Sequence, residues 1–268
     1  MTAIIYYHEN CVDGFMSATI ARRVYPDALF VPYNFKRVSL EESVSPDRII
    51  CLDCVVPEAD MYGCLVAVID HHEGNKEKIS ELQIRCEQKK IPCEIWFSED
   101  KCGALLTWEW FFPHESLPFP INYIDDRDRW QWKLENSKEI NEYIKLQPFT
   151  FEAYEQMFKT SIVEMTIAGK TLLQNTEQEC QRILKNKHLI FLADRWMPAV
   201  NSPIHMSELG HLLSEPFGCV YHFDGEEYKV AIRSIGENNC IPIAQFYGGG
   251  GHKNAAGCSV KSLLMKKG

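Results

Sequence analysis

The stretch Leu65-Val66-Ala67-Val68-Ile69-Asp70-His71-His72 runs from apolar residues straight into a carboxylate and two imidazoles. A short continuous apolar run reads as a buried strand, although periodicity by itself does not separate it from a piece of buried helix. As a strand it delivers Asp70, His71 and His72 at its C-terminal end, the edge at which open α/β sheets bind ligands. Carboxylate and imidazole side by side suit a divalent transition metal, and such an ion suits chemistry at a phosphate ester. A lone histidine at a strand end is usually an ordinary polar residue. Three such side chains in succession favour a site.

The elements around this stretch repeat its pattern. Ala3 to Tyr7 is an apolar, β-prone run that ends on His8, and Glu9 to Gly14 reads as a polar turn carrying Cys11 and Asp13. Phe15 to Tyr25 is compatible with an amphipathic helix stopped by Pro26. Ala28 to Val31 and Arg48 to Asp53 read as two further strands, the second finishing on a carboxylate, and Met61 to Ile69 as a fourth. Strands separated by helical or loop crossovers predict a parallel sheet, so His8, Asp53 and Asp70-His71-His72 would emerge on one edge.

Residues 74 to 101 are charged and read as surface chain, and Gly103 to Phe112 as a core helix stopped by Pro113. In Asp125-Asp126-Arg127-Asp128-Arg129 three acids repel one another unless cations compensate. Salt bridges to Arg127 and Arg129 are one reading; a further carboxylate for the cluster is the other. Helical periodicity then runs from Lys138 to Lys185, and β-prone segments return at His188 to Ala193, Gly218 to Phe223 and Tyr228 to Ile232, with Met206 to Leu213 as a helix among them. The reading is a first domain over 1–135, connecting helices over 136–186, and a smaller α/β domain over 187–268.

Near the C-terminus, Gly248-Gly249-Gly250-Gly251-His252-Lys253-Asn254-Ala255-Ala256-Gly257 leaves backbone N–H groups unshielded, as phosphate loops do. The small residues that follow suggest a helix start. Arg233 and Ser234, after the Val230-Ala231-Ile232 strand, could bring a guanidinium to the same anion.

Composition sets limits on function. A hydrophobic share of 46% and a charged share of 24% are ordinary for a globular chain. No apolar run approaches a membrane span and no secretory leader is visible, so the expectation is a cytoplasmic protein with no membrane partner. Eleven cysteines without a leader read as reduced thiols, and Cys51-x-x-Cys54 has no second pair at zinc-ribbon spacing. A net charge of −9 argues against grip on long duplex nucleic acid, which needs many phosphate-contacting cations, and leaves small anions open.

Asp70-His71-His72 together with Gly249-Gly250-Gly251-His252-Lys253-Asn254-Ala255-Ala256-Gly257 resembles the paired motifs of the DHH phosphoesterases that carry a DHH-associated C-terminal domain. That group includes nanoRNases, cyclic-dinucleotide phosphodiesterases and the RecJ exonuclease, and the order and spacing of the motifs cover almost the whole chain. The resemblance implies an N-terminal parallel α/β domain with two Mn²⁺ ions (Mg²⁺, Co²⁺ or Zn²⁺ as substitutes) and a C-terminal domain that holds substrate. It implies His8 and Asp13 in the first motif, Asp53 bridging the ions, His71 in the third, and Asp126, then Asp128, in the fourth. Asp70 and His72 would orient or polarise ligands, with Asp70, His71 and His72 forming the catalytic set. Arg233, Ser234, Gly249, Gly250, Gly251, His252 and Asn254 would contact substrate.

The family's first motif usually carries Asp-x-Asp, whereas this chain has Cys11-Val12-Asp13. Cys11 then stands where a metal-binding carboxylate belongs, and its thiolate is softer than Mn²⁺ prefers. Glu9, Asn10 or a change of metal to Zn²⁺ would compensate. The implied activity is hydrolysis of short oligonucleotides or dinucleotides to nucleoside 5′-monophosphates. Two alternatives follow from the same residues: a nucleotide-binding regulatory module with an impaired metal site, and a pyrophosphatase-like phosphohydrolase.

Overall fold

The computed structural model describes residues 2–34 and 45–267. It divides into two compact units, 1–173 and 174–268.

The first unit is built on a parallel sheet of β1 (Ala3–His8), β2 (Leu29–Tyr33), β3 (Arg48–Leu52), β4 (Leu65–Asp70) and β5 (Cys93–Phe97), in the order β2-β1-β3-β4-β5. Ile49, Leu52, Val66, Val68 and Ile69 are fully buried, as strands covered on both faces require. The register aligns the strand ends: Tyr7 pairs with Leu52, Leu52 with Ile69, and Asp70 with Phe97. The chain leaves β1 toward β2 and then resumes with β3 on the other side of β1. This order reversal opens the crevice in which doubly wound sheets bind ligands.

Helix α1 (Val12–Val24) starts within the segment expected to be a polar turn, so Asp13 and Gly14 lie in its first turn. Its Phe15, Met16 and Ile20 share a core with α3 (Gly103–Phe111), α4 (Phe119–Asp128), α5 (Ser137–Lys145) and α6 (Phe151–Met157). Met165, near the start of α7 (Ile162–Leu184), joins the same core, so these helices pack with the first unit rather than merely linking it to the second. The chain passes from one unit to the other within α7.

Residues 74 to 101 are not plain surface chain. They form α2 (Lys76–Lys89) and the edge strand β5. Only Ile79, Leu82 and Cys86 of α2 are buried, a stripe too narrow to stand out among its charges.

The second unit holds β6 (His188–Leu192), β7 (Arg195–Asn201), α8 (Met206–Leu213), β8 (Phe217–Phe223), β9 (Tyr228–Ser234), α9 (Ile241–Phe246), β10 (Gly250–His252), β11 (Ala255–Val260) and β12 (Leu264–Lys266). Its sheet runs β10-β11-β9-β8-β7-β6-β12 and is antiparallel except for the β7–β8 pair, which α8 connects. The glycine motif does not open a helix. It is the β10–β11 hairpin, with Lys253 and Asn254 at its turn and Gly250 opposite Gly257. Among the described residues no helix is long and apolar enough to cross a membrane.

Candidate metal centre and phosphate loop

Three strand ends converge at the crevice. His8 closes β1, Asp53 follows β3, and Asp70-His71-His72 closes β4. Asp53 adopts a left-handed backbone (φ 56°), a conformation aspartate tolerates better than most residues, and its N–H donates to Ile69 O at 2.8 Å. That turn aims its carboxylate across the edge. One oxygen, Oδ2, lies 3.2 Å from His8 Nδ1; the other, Oδ1, lies 3.1 Å from His71 Nε2 but without hydrogen-bond alignment. Oδ1 is thus buried with no hydrogen-bond donor.

Asp13 reaches the same point from α1. Its Oδ2 accepts from Gly103 N and its Oδ1 from Ala104 N, both at 2.7 Å, so the exposed amides of the α3 N-terminus hold the carboxylate. His71 Nε2 lies 3.4 Å from Asp13 Oδ2 and 3.5 Å from Asp128 Oδ2. Asp13, Asp53 and His71 form one group of three donors close enough to hold a metal ion, and His8, Asp53 and His72 form another. Asp53 belongs to both.

The electrostatics fit a cation. Burial, with the charges of Asp53 and Asp128, pushes the Asp13 carboxyl well above its ordinary range. Burial would raise Asp53 too, but the His71, His8 and His72 imidazoles outweigh it and hold that carboxyl well below. Burial would lower His71; the Asp53 carboxylate against its Nε2 and the charges of Asp128 and Asp13 instead bring it up to about 10. Buried carboxylates at this density need compensating positive charge. An orphaned Oδ1 on the carboxylate common to two oxygen-and-nitrogen donor sets is what a divalent transition ion would satisfy.

Asp70 belongs to neither of these donor groups. Its Oδ1 accepts from the His71 N–H (2.8 Å) and the His72 N–H (3.2 Å) and lies 2.8 Å from His72 Nδ1, while its Oδ2 accepts from Asn75 Nδ2 at 2.7 Å. A proton on His72 Nδ1 facing this carboxylate makes Nε2 the lone-pair nitrogen, the usual arrangement behind a ligating imidazole. Asn75 has no signal in the sequence beyond its place five residues after Asp70.

The acidic run divides its labour by helix geometry. Asp125 accepts from Cys102 N (2.8 Å) and from Arg129 at 3.0 and 2.7 Å. Asp126, the first choice from sequence, points elsewhere: its carboxylate accepts from Lys133 N (2.9 Å), Leu134 N (3.3 Å) and Ser137 Oγ (2.6 Å). Residues two apart on an α-helix are separated by about 200° around its axis, so Asp126 and Asp128 cannot share a face. Asp128 is the one beside His71. Replacing Asp126 with alanine therefore loosens the 130–137 loop and not the metal centre. The expected cost is about 3 kcal/mol for three bonds to a buried carboxylate, read as a lower urea midpoint, with metal affinity retained.

Cys11 caps α1 and joins neither donor group. In the metal-free site burial and the Asp53 charge push its thiol up to about 11.

Gly103 was invisible as a site residue because its partners lie 50 and 90 positions away. A Cβ there would meet Asp53 Cβ at 2.8 Å and Asp13 Oδ2 and Asp53 Oδ1 at 3.0 Å each. Only glycine leaves room for both carboxylates beside the start of α3.

In the second unit, Arg233 donates to Ser207 Oγ (2.9 Å) and Ile232 O (3.0 Å) and sits opposite Ala255 of the glycine hairpin. Ser234 and Asn254 are joined to each other (2.9 Å) and to Asn238 O, so they brace the hairpin. Gly249 lies against Gly257 O, where a Cβ would come within 2.0 Å, and Gly251 has φ +139°. Gly250 faces open space, and His252 ends β10.

No protein-family model matches the chain. An uncharacterized protein of Acanthamoeba polyphaga mimivirus is 28% identical over 97% of this chain and 68% of its own length. Among solved structures, the DHH domain of a member of a family of ribosomal proteins matches 98% of this chain and 82% of its own, with a TM-score of 0.60 at 12% identity. The chain has the fold of a DHH-domain protein.

Proposed function

We propose that this chain is a metal-dependent phosphoesterase of the DHH superfamily that hydrolyses short oligonucleotides or dinucleotides to nucleoside 5′-monophosphates. The observation that carries the reading is Asp53, whose carboxylate is common to both donor groups, as a ligand bridging two ions would be. Asp13, Asp53 and His71, with Asp128 beside them, would hold one divalent ion, and His8, Asp53 and His72 a second. Mn²⁺ is the first choice for this donor set, with Mg²⁺, Co²⁺ or Zn²⁺ as substitutes. When bound, such a pair lowers the pKa of a water and neutralises charge at phosphorus.

The chain's own residues do the rest. The α3 amides fix Asp13, and Asp70 with Asn75 fixes His72. Arg233 and the open face at Gly250 suit a phosphate, and the net charge of −9 suits a short substrate better than a long strand.

The test is release of nucleoside monophosphate from linear pApA with Mn²⁺, with His71→Ala at saturating metal as the control. Turnover at least about a hundredfold above that control is expected. Equal rates would leave a nucleotide-binding module, and faster turnover of pyrophosphate than of pApA would replace the reading with a pyrophosphatase.

A further inference from the structure

Beyond Asp128 the chain does something energetically odd. Trp130 and Trp132 both have left-handed backbones, with φ 55° and 53°, and Asn136 follows with φ 56°. Asparagine is an ordinary occupant of that region; tryptophan is a genuine outlier there, and glycine would be cheaper at both positions. Such strain persists only where the surroundings enforce it, and it clusters at functional sites.

Here the enforcement is visible. Gln131 N and Trp132 N donate to Asp126 O at 2.7 and 3.4 Å, and the Asp126 side chain takes Lys133 N, Leu134 N and Ser137 Oγ. Ser137 O accepts from Asn141 Nδ2 at 2.9 Å, and Tyr123 OH donates to Glu135 O at 3.0 Å. The whole loop is pinned from α4 and α5.

The pinned rings form a corner. Their centroids are 5.0 Å apart and their planes cross at 79°, and both residues are only partly buried. Asp128 lies 3.5 Å from His71, and the Trp130 Cα cannot be more than about 7 Å of chain from that of Asp128. An aromatic corner therefore follows Asp128 within two to four residues of chain. Aromatic side chains bind bases by their π-faces with little regard to sequence.

We infer that the Trp130–Trp132 corner is a nucleobase-stacking subsite that makes the centre selective for base-bearing phosphodiesters over inorganic or abasic phosphates. The inference rests on the phosphoesterase reading for its catalytic consequence, but base binding is measurable without turnover.

The test uses the strain itself. Trp132→Gly removes the ring at a backbone that glycine adopts freely, so the variant should fold with a melting temperature at or near that of the wild type. Metal-free protein titrated with adenosine 5′-monophosphate should show saturable quenching of indole emission. Inorganic phosphate should give none. Trp132→Gly should weaken binding of the nucleotide about tenfold by calorimetry, Trp132→Phe should retain most of it, and Trp96→Phe, in a separate aromatic pair with Trp110, should change nothing. In turnover, Trp132→Gly should raise KM for pApA about tenfold and leave KM for an abasic dinucleotide unchanged. Unaltered nucleotide binding in Trp132→Gly would overturn the inference, as would equal losses on the base-bearing and abasic substrates. Wild-type protein that binds the nucleotide through Trp132 but turns over no diester would overturn the phosphoesterase reading and leave the subsite standing.

Discussion

Exchange of Asp53 for alanine or asparagine abolishes turnover, by at least about a thousandfold. A metal pair contributes several kcal/mol to charge stabilisation at phosphorus, and about 4 kcal/mol is a factor of a thousand. Asp53 is the donor that both groups share, so its loss disables both positions at once. The two variants separate chemistry from folding. Asparagine tolerates the left-handed backbone that Asp53 adopts, whereas alanine does not, so Asp53→Ala also loses about 1 kcal/mol of metal-free stability. In the wild type, Mn²⁺ at a hundred times its Kd should stabilise by about 2.7 kcal/mol, seen as a raised Tm that a chelator reverses. Neither variant should show that response. In metal-free protein the His71 imidazole, held up to about 10 by the Asp53 carboxylate against it and by the other carboxylates around it, should titrate at lower pH in Asp53→Asn by NMR. A metal-dependent Tm shift of wild-type size in Asp53→Asn would show that the ion sits elsewhere.

What the sequence revealed of this centre follows from how each residue reaches it. Residues delivered by strand ends were legible. An apolar run followed by a polar group marks the edge of a parallel sheet without knowledge of the partner strand, and that places His8, Asp53 and Asp70-His71-His72. Residues delivered by helix phase were not legible while the helix was unrecognised. Asp125-Asp126-Arg127-Asp128 looks like one acidic patch until α4 sends Asp126 and Asp128 to opposite sides, one to brace a loop and one to His71. Asp13 was expected in a turn; the first turn of α1 is what directs it to the α3 amides. The β10–β11 hairpin misled for a related reason: glycines followed by alanines are equally consistent with a tight helix start and with strands that approach closely. The 2.0 Å that a Gly249 Cβ would leave to Gly257 O shows that close approach decided it.

Gly103→Ala should cost about a hundredfold in turnover while leaving the protein folded. The added methyl would lie 2.8 Å from Asp53 Cβ and 3.0 Å from one oxygen of each carboxylate. Neither acid has room to retreat. Asp13 is held by two amide bonds from the same turn of α3, and Asp53 by its backbone bond to Ile69. Relief must come from a shift of α3 away from the strand ends, which lengthens the Asp13 bonds and spreads the donors of the Asp13–Asp53–His71 group. Overpacking of this kind costs about 1–3 kcal/mol, and the better helix propensity of alanine returns up to about 1 kcal/mol. Net stability therefore falls little, and the damage concentrates in metal affinity. The expected pattern is a far-UV spectrum and metal-free Tm close to wild type, a Mn²⁺ Kd weakened at least tenfold, and activity partly restored by excess metal. Gly103→Val, with two further methyl groups at the same point, should not be restored at any metal concentration. Wild-type Mn²⁺ affinity in Gly103→Ala would mean that Asp13 and Asp53 do not act as a pair, and the centre would then have to be built on His8, Asp53 and His72 alone.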